Sequence, residues 1–396
     1  MNEVFTLLGA CAAGCSLGVV TGLTPGIHVN TVLPLMGFFS GSGKVGAAVI
    51  FSLAVTHTFL DFIPSTLFGV PDGDTALSVL PAHQLLLEGR GYEAVKLTVI
   101  GSLGALMVSG VLVLPMVYCI PFLYNTVHPY IGYILLLIVG FIILSERSLK
   151  SIGWACVIFL ISGVYGYIVL SNPLVAEDFI LFPVFSGLFG LSTLLISLRG
   201  HSELPLQPLD SRIHLRPYQV VTNILKGAAA GIMVSLFPGV CPAHATAVMS
   251  VKSSPRQFLV AVSGVNTANA VYALVGLYTI GKARSGAVLA IQDLIQLDFS
   301  TVVSLLACGL VAAGVASVTA LCIAQTLLKM LPTISYKYLM AFTCSILVFI
   351  ISIITGFTGL LVMAVGCCIG ILPLLVGVRR SHCMGTLLFP VLLHYL

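Results

Sequence analysis

The sequence predicts an all-α polytopic membrane protein of two homologous halves, arranged as inverted repeats with broken or re-entrant helices at the bilayer midplane. Three observations carry that expectation. The composition suits lipid as the surrounding solvent, apolar stretches reach spanning length without interruption, and a Pro-Gly break recurs in matching context in each half.

Apolar residues make up 58% of the chain and charged residues 8%, against about 45–50% and about 25% in soluble domains. The mean hydropathy is +1.12. A spanning helix needs about 20 mostly apolar residues. No Asp, Glu, Lys or Arg occurs in residues 4–43, 97–145, 299–328 or 338–378. Each stretch exceeds one span, so turns must lie inside it. The runs are continuously apolar, whereas barrel strands alternate polar and apolar residues, so helices are expected. The net charge of +4 is small and scattered, which excludes a nucleic-acid-binding surface. Positive residues gather in the island 199–216 (Arg199, His201, Arg212, His214, Arg216), placing this linker in the cytoplasm by the positive-inside tendency.

Helices are expected over 4–23, 44–62, 93–120, 128–145, 151–170 and 181–198, then over 217–236, 255–280, 299–330, 335–355, 357–376 and 381–395. Four shorter apolar pieces, 27–40, 74–88, 241–251 and 284–296, fall below spanning length and read as re-entrant or half-spanning elements. Leu8-Gly9-Ala10-Cys11 resembles a lipoprotein cleavage site, but no Lys or Arg precedes it. Residues 4–23 are therefore read as a helix, not a signal peptide. The 11 cysteines lie mostly in apolar runs, where cysteine behaves as a small hydrophobe.

Residues 18–35 and 231–248 share one pattern: an apolar helix end, Pro-Gly, a small polar cluster, then a further apolar stretch. Pro25-Gly26 matches Pro238-Gly239, Lys44 matches Arg256 at a helix start, and His57-Thr58 falls opposite Asn266-Thr267. The halves are thus 1–198 and 217–396, joined by the polar linker 199–216. Discontinuous helices at matching places favour an inverted relation between the halves.

A Pro-Gly pair inside an apolar run ends a helix. Free backbone groups there are tolerated only against protein or a wet cavity. A helix restarting after the break presents unpaired N–H groups and partial positive charge, which suit an anion. Thr24, Pro25, Gly26, His28, Asn30 and Thr31 form this device in the first half. Ser235, Pro238, Gly239, His244 and Thr246 repeat it in the second, with Asn266 and Thr267 as further polar lining. Two such ends facing one midplane site would hold an anion between them. The bland alternative is a pair of proline kinks without a ligand.

Asp61 stands in or at the end of an apolar helix, four residues after His57 and on the same face. An acid within the membrane is costly and marks function by default, so the pair is a candidate for ion or proton coupling. The competing reading is a water-exposed Asp capping the segment before Pro64. Lys44 and Arg256 read as snorkelling cations, the alternative being that either draws in an anion, and Arg379-Arg380-Ser381-His382 reads as an orienting basic loop. No Gly-x-Ser-x-Gly, His-Glu-x-x-His or Walker motif occurs. No enzymatic activity, cofactor, bound metal or direct use of ATP is expected.

The duplicated breaks TGLTPGIHVNT (21–31) and SLFPGVCPAHAT (235–246), with GVPDGDTALSVLPAHQLLLEGRG (69–91), resemble the TctA family, which contains the large membrane subunit of tripartite tricarboxylate transporters. The chain is shorter than the usual bacterial subunit and resembles the compact archaeal branch. The resemblance implies ion-driven transport of a di- or tricarboxylate-like anion across the cell membrane. It also implies a small membrane subunit and an extracytoplasmic binding protein as partners, and a homodimer is a further expectation. Two rivals remain open: a translocase for a polyprenyl-phosphate or similar anionic lipid carrier, and a non-transporting membrane scaffold.

Overall fold

The computed structural model describes residues 2–24, 43–70, 75–171, 175–176, 179–199, 205–209, 212–237, 240, 242–249, 253–283, 285–331 and 336–396, with the side chains of 197, 199, 243, 244, 247, 249, 336 and 339 left out. Among the described residues, nine helices are long and apolar enough to cross a membrane, and no strand occurs. The all-α polytopic class therefore holds.

The centre is built from two helix pairs. In the first, α1 (Asn2–Leu23) packs on α2 (Lys44–Leu60), which continues past Asp61 into α3 (Phe62–Leu67). Contacts climb together along both helices: Gly14 lies against Ser52, Gly18 against Thr56 and Gly22 against Leu60. The helices therefore run parallel, tied at their starts by Lys44 Nζ and Glu3 Oε1 at 2.9 Å. Small residues one turn apart let the backbones meet, as expected where close packing rather than a hydrophobic drive joins membrane helices.

The second half repeats this arrangement. After α4 (Val79–Leu87), α5 (Gly91–Val111), α6 (Val113–Val127), α7 (Ile131–Leu144), α8 (Leu149–Ser171), α9 (Leu181–Phe185) and α10 (Ser192–Arg199), the chain forms α11 (Pro217–Leu236), α12 (Pro242–Met249) and α13 (Pro255–Ile280). Gly227 of α11 meets Ala261 and Gly264 of α13, and Gly231 meets Ala268 and Asn269. These helices also run parallel to each other, but α13 descends where α2 ascends: Thr58 meets Thr267, while Asp61, further along α2, meets Asn266. The matching glycines align Thr56 with Ala268 and therefore His57 with Asn269, three residues beyond the pairing read from sequence. The match of Lys44 with Arg256 already implies this glycine register, so the pairing of His57 with Asn266 was out of step with it by nearly one helical turn.

Third helices are exchanged between the pairs. Helix α5 packs on α11 and α13, while α15 (Phe299–Met330), which follows α14 (Gly286–Leu294), packs on α1 and α2. A methyl group at Gly101 of α5 would press into Ser263 Oγ and the Val260 carbonyl of α13, whereas Gly110 has open space. Gly101→Ala is expected to destabilise the purified protein by about 1–3 kcal/mol through overpacking. Gly110→Ala, its control, should be neutral or slightly stabilising. Equal thermal midpoints for the two variants would contradict this packing.

Every residue of α2 from Gly46 to Leu60 is buried. This helix is thus surrounded by protein, although its composition would suit lipid. The lipid-suited face lies elsewhere, on Tyr118, Phe122, Leu137, Phe141, Phe349 and Phe357. A second layer joins α8, α9, α10, the 41-residue α16 (Tyr336–Val376) and α17 (Gly385–Tyr395). Helix α16 breaks at Gly356, whose φ of 65° only glycine adopts readily, between the two helices expected over 335–355 and 357–376. The helix expected over 93–120 instead divides at Leu112. Pro115 then falls in the first turn of α6, where its missing N–H is harmless. Residues 186–191 form a π-helical segment between α9 and α10. The short pieces over 74–88, 241–251 and 284–296 appear as α4, α12 and α14, whereas 27–40 lies outside the described residues.

The linker is docked. Gln207 accepts from the Gly91 amide at 2.9 Å and donates to the Leu86 carbonyl at 2.9 Å. The same end of the bundle carries Arg90, Arg212, Arg216 and Arg256 at or beside the starts of α5, α11 and α13, and Arg379 and Arg380 beside Pro255. At the opposite end, Lys44 and Lys282 are the described cations. This asymmetry is the kind that orients membrane proteins, basic side inward.

Candidate functional site

Of the residues singled out in the sequence, Asp61, Asn266 and Thr267 meet where α2 crosses α13, with His57 one turn back on α2. Asp61 is 4% exposed and accepts from Asn266 Nδ2 at 2.9 Å. Its helix continues through it without a side-chain cap bond, so the reading of a water-exposed capping acid is replaced by a carboxyl held between the halves. Three residues earlier, Thr58 Oγ1 lies 3.0 Å from Thr267 Oγ1. These two polar bridges join helices separated by more than 200 positions in the chain.

His57 is 3% exposed, and its Nδ1 lies 3.1 Å from Thr21 Oγ1 of α1. Thr21 can also donate to the Gly18 carbonyl at 3.2 Å. A ring protonated at Nδ1 donates to this oxygen, and a ring bare at Nδ1 accepts from it, so the Thr21–His57 pair can carry either tautomer. Sequence reading did not single out Thr21. Its signal was weak: a small polar residue between Gly18 and Gly22 on the face that lets α1 approach α2. Thr267 also donates to the Ser263 carbonyl at 3.3 Å, which Ser102 of α5 reaches at 3.2 Å. The polar band thus extends from α1 through α2 and α13 to α5.

The remaining candidates are distributed unevenly. Thr24 ends α1 half-buried, its amide bonded to the Val20 carbonyl. Ser235 and Thr246 are buried, and their hydroxyls donate to the Ile232 and Pro242 carbonyls of their own helices at 2.9 and 2.8 Å. Either would have to rotate its hydrogen to donate to a ligand. Pro25, Gly26, His28, Asn30, Thr31, Pro238 and Gly239, and the side chain of His244, lie outside the described residues. Among the described residues, no group of three His, Cys, Asp or Glu side chains could hold a metal.

At the basic end lies a charged cluster that the sequence did not reveal. Glu93, in the first turn of α5, is fully buried. It accepts from Arg256 Nε at 3.1 Å, from the His214 amide at 2.7 Å and from His214 Nδ1 at 3.2 Å, with Arg90 at 3.5 Å. It thereby fastens the linker to both halves. Arg256, expected to snorkel alone, is committed to this carboxylate and to Glu88 at 3.6 Å. The basic loop also departs from expectation: Arg380 and His382 are buried rather than displayed. His382 Nε2 meets Glu146 Oε1 at 2.8 Å. Burial opposes ionisation of Glu146, but the His382 hydrogen bond, the Arg379 amide and the nearby positive charge together hold its carboxyl below the usual range.

Against known proteins, a family model described as the tripartite tricarboxylate transporter TctA family matches residues 8–385. An uncharacterized protein of Methanocaldococcus jannaschii is similar at 28% identity over 415 residues, covering 100% of this chain and 99% of its own. No solved structure matches the chain.

Proposed function

The chain belongs to the tripartite tricarboxylate transporter TctA family, and from that membership we propose that it is a secondary transporter for a small organic anion of the di- or tricarboxylate class. The family is one of transporters, and the chain is a multi-pass membrane protein. In this reading it works in the cytoplasmic membrane, coupled to a Na⁺ or H⁺ gradient. The observation that carries the coupling is the Asp61 carboxyl, buried inside an apolar span and bridged to Asn266 across the two halves. Such a group binds a cation or proton and relays its presence to both helices at once.

The anion is assigned to the paired breaks, Thr24, Pro25, Gly26, His28, Asn30 and Thr31 with Ser235, Pro238, Gly239, His244 and Thr246, and to Asn266 and Thr267 as further lining. Two contacts support this. Thr24 lies one turn beyond Thr21, which holds His57, and α12 packs against both α11 and α13. In this reading a bound anion and a bound cation share the space between the halves. The opposed directions of α2 and α13 support inverted repeats around that space. Family membership supports a small membrane subunit and an extracytoplasmic binding protein as partners.

The test is uptake of radiolabelled citrate-like acids by proteoliposomes holding the purified chain. Accumulation should appear with an imposed Na⁺ or H⁺ gradient and collapse on its removal. Persisting accumulation would reject coupling, and loss of saturable uptake on replacing Pro25-Gly26 by Ala-Ala would support the anion assignment.

A further inference from the structure

The strongest unassigned feature is a cavity of about 330 Å³ at the basic end, between α4, the start of α13 and residues 379–381. Its volume is within the range of ligand pockets, about 300–1,000 Å³. Its lining combines Leu77, Leu80 and Phe258 with Gln84, Arg379 and Arg380. A pocket that sets apolar side chains beside two arginines has the chemistry to recognise an amphiphile with an anionic head.

Arg380 makes this lining unusual. It is 7% exposed. Its guanidinium donates to the Leu188 carbonyl at 2.7 Å, the Phe189 carbonyl at 2.9 Å and Ser192 Oγ at 2.7 Å, and also to Thr193 Oγ1. All of these acceptors are neutral. The π-helical segment 186–191 supplies the two carbonyls, consistent with π-bulges freeing backbone acceptors at functional places. Arg380 Nε has no hydrogen-bond partner, and no carboxylate pairs with the side chain among the described residues. Removing a charge from water without a counter-charge is unfavourable by several kcal/mol. Burial draws its pKa down to about 10, so the group is still cationic at neutral pH.

The surrounding charges do not cancel it. Glu146 is occupied by His382 and by the Arg379 amide, at 2.8 and 3.0 Å. Burial lowers the pKa of His382 while its bond to Glu146 raises it, so this ring brings no negative charge to the cavity in either form. Two guanidinium groups then face one carboxylate, and the cavity is left with net positive charge beside apolar side chains.

We propose that this cavity binds an anionic group, carboxylate or phosphate, carried on an apolar body. The site is separate from the polar band around Asp61 and does not rest on the transport reading. Arg379 holds the anion, and the buried charge of Arg380 behind it adds attraction without direct contact. Leu77, Leu80 and Phe258 cover its apolar part and disfavour small, fully hydrated anions.

The purified full-length chain in uncharged detergent is titrated with hexanoate, hexyl phosphate, citrate and inorganic phosphate. Hexanoate and hexyl phosphate are expected to bind at least about tenfold more tightly than the other two, since six carbons bury against these side chains. Leu80 is 48% exposed on α4, so its replacement spares the fold. Leu80→Glu sets a like charge in the cavity and should weaken both probes by about tenfold more than Leu80→Gln, which removes the same apolar contact without adding a charge. Equal binding by the two variants, or no binding to the native chain, overturns the proposal. Nanodiscs distinguish the source of the anion. Higher thermal stability in phosphatidylglycerol than in phosphatidylcholine, abolished by Leu80→Glu, identifies a lipid head group. Equal stability in both lipids with hexanoate binding retained identifies a free organic anion. Asp61→Asn should leave probe binding unchanged, so this site and the transport reading fail separately.

Discussion

Asp61→Asn is expected to lower gradient-driven uptake by about a hundredfold, the scale on which removing a proton-transferring carboxyl acts, while the protein stays folded. Asparagine keeps the shape of the side chain and an oxygen that can accept from Asn266 Nδ2, now at 2.9 Å from Asp61. It removes only the capacity to carry charge. An acid at the centre of a membrane helix costs at least about 2.5–3.5 kcal/mol, so stability should be unchanged or slightly higher. Asp61→Leu makes a different prediction. It leaves the buried Asn266 amide without this acceptor, and such a loss destabilises by about 1–3 kcal/mol. The measurement is the initial rate of citrate-like acid uptake into proteoliposomes, paired with the thermal midpoint of each variant. Exchange of labelled for unlabelled substrate without a gradient should survive in Asp61→Asn. Native uptake rates in that variant under an imposed gradient would remove Asp61 from the coupling role.

The second large effect is expected at Glu93. Its carboxylate is fully buried and holds Arg256, the His214 amide and Arg90. Glu93→Leu leaves Arg256 with Glu88 alone, at 3.6 Å, and removes the acceptor of the His214 amide. Breaking a buried ion pair from one side destabilises by about 3–5 kcal/mol. The lower end is expected, because Arg256 is 19% exposed and can reach water. Glu93→Gln keeps an acceptor and loses the charge, so its effect should be about half as large. Glu93→Leu combined with Arg256→Leu should recover part of the loss, since the orphaned cation is gone and the two sites are coupled. Denaturation midpoints of the four proteins measure all three statements. A Glu93→Leu variant as stable as the native chain would mean that the linker and the two halves are held together by apolar packing alone.

These two residues mark the limits of sequence reading in opposite ways. Asp61 was visible because an isolated acid in an apolar run has few explanations. Glu93 was not, because its neighbours Glu88, Arg90 and Lys96 make it look like one charge of a solvated helix start. Its burial depends on Arg256 and His214, which arrive from far along the chain. Arg380, read only as part of an orienting basic loop, is buried for the same reason. Sequence shows the charge, but not the π-helical carbonyls of 188 and 189 folded over it.

Membrane character, the helices other than the one dividing at Leu112, and the division at Gly356 could be read before any folding. Hydropathy acts locally, and each helix satisfies its own backbone wherever it ends up. Which polar side chains meet was settled only by tertiary packing. Thr21 reaches His57 and Asn266 reaches Asp61 because glycines let α1 approach α2 and because α13 crosses α2 at one particular rotation and height. Sliding one apolar helix by a turn leaves its sequence pattern almost intact but exchanges every partner in the buried band.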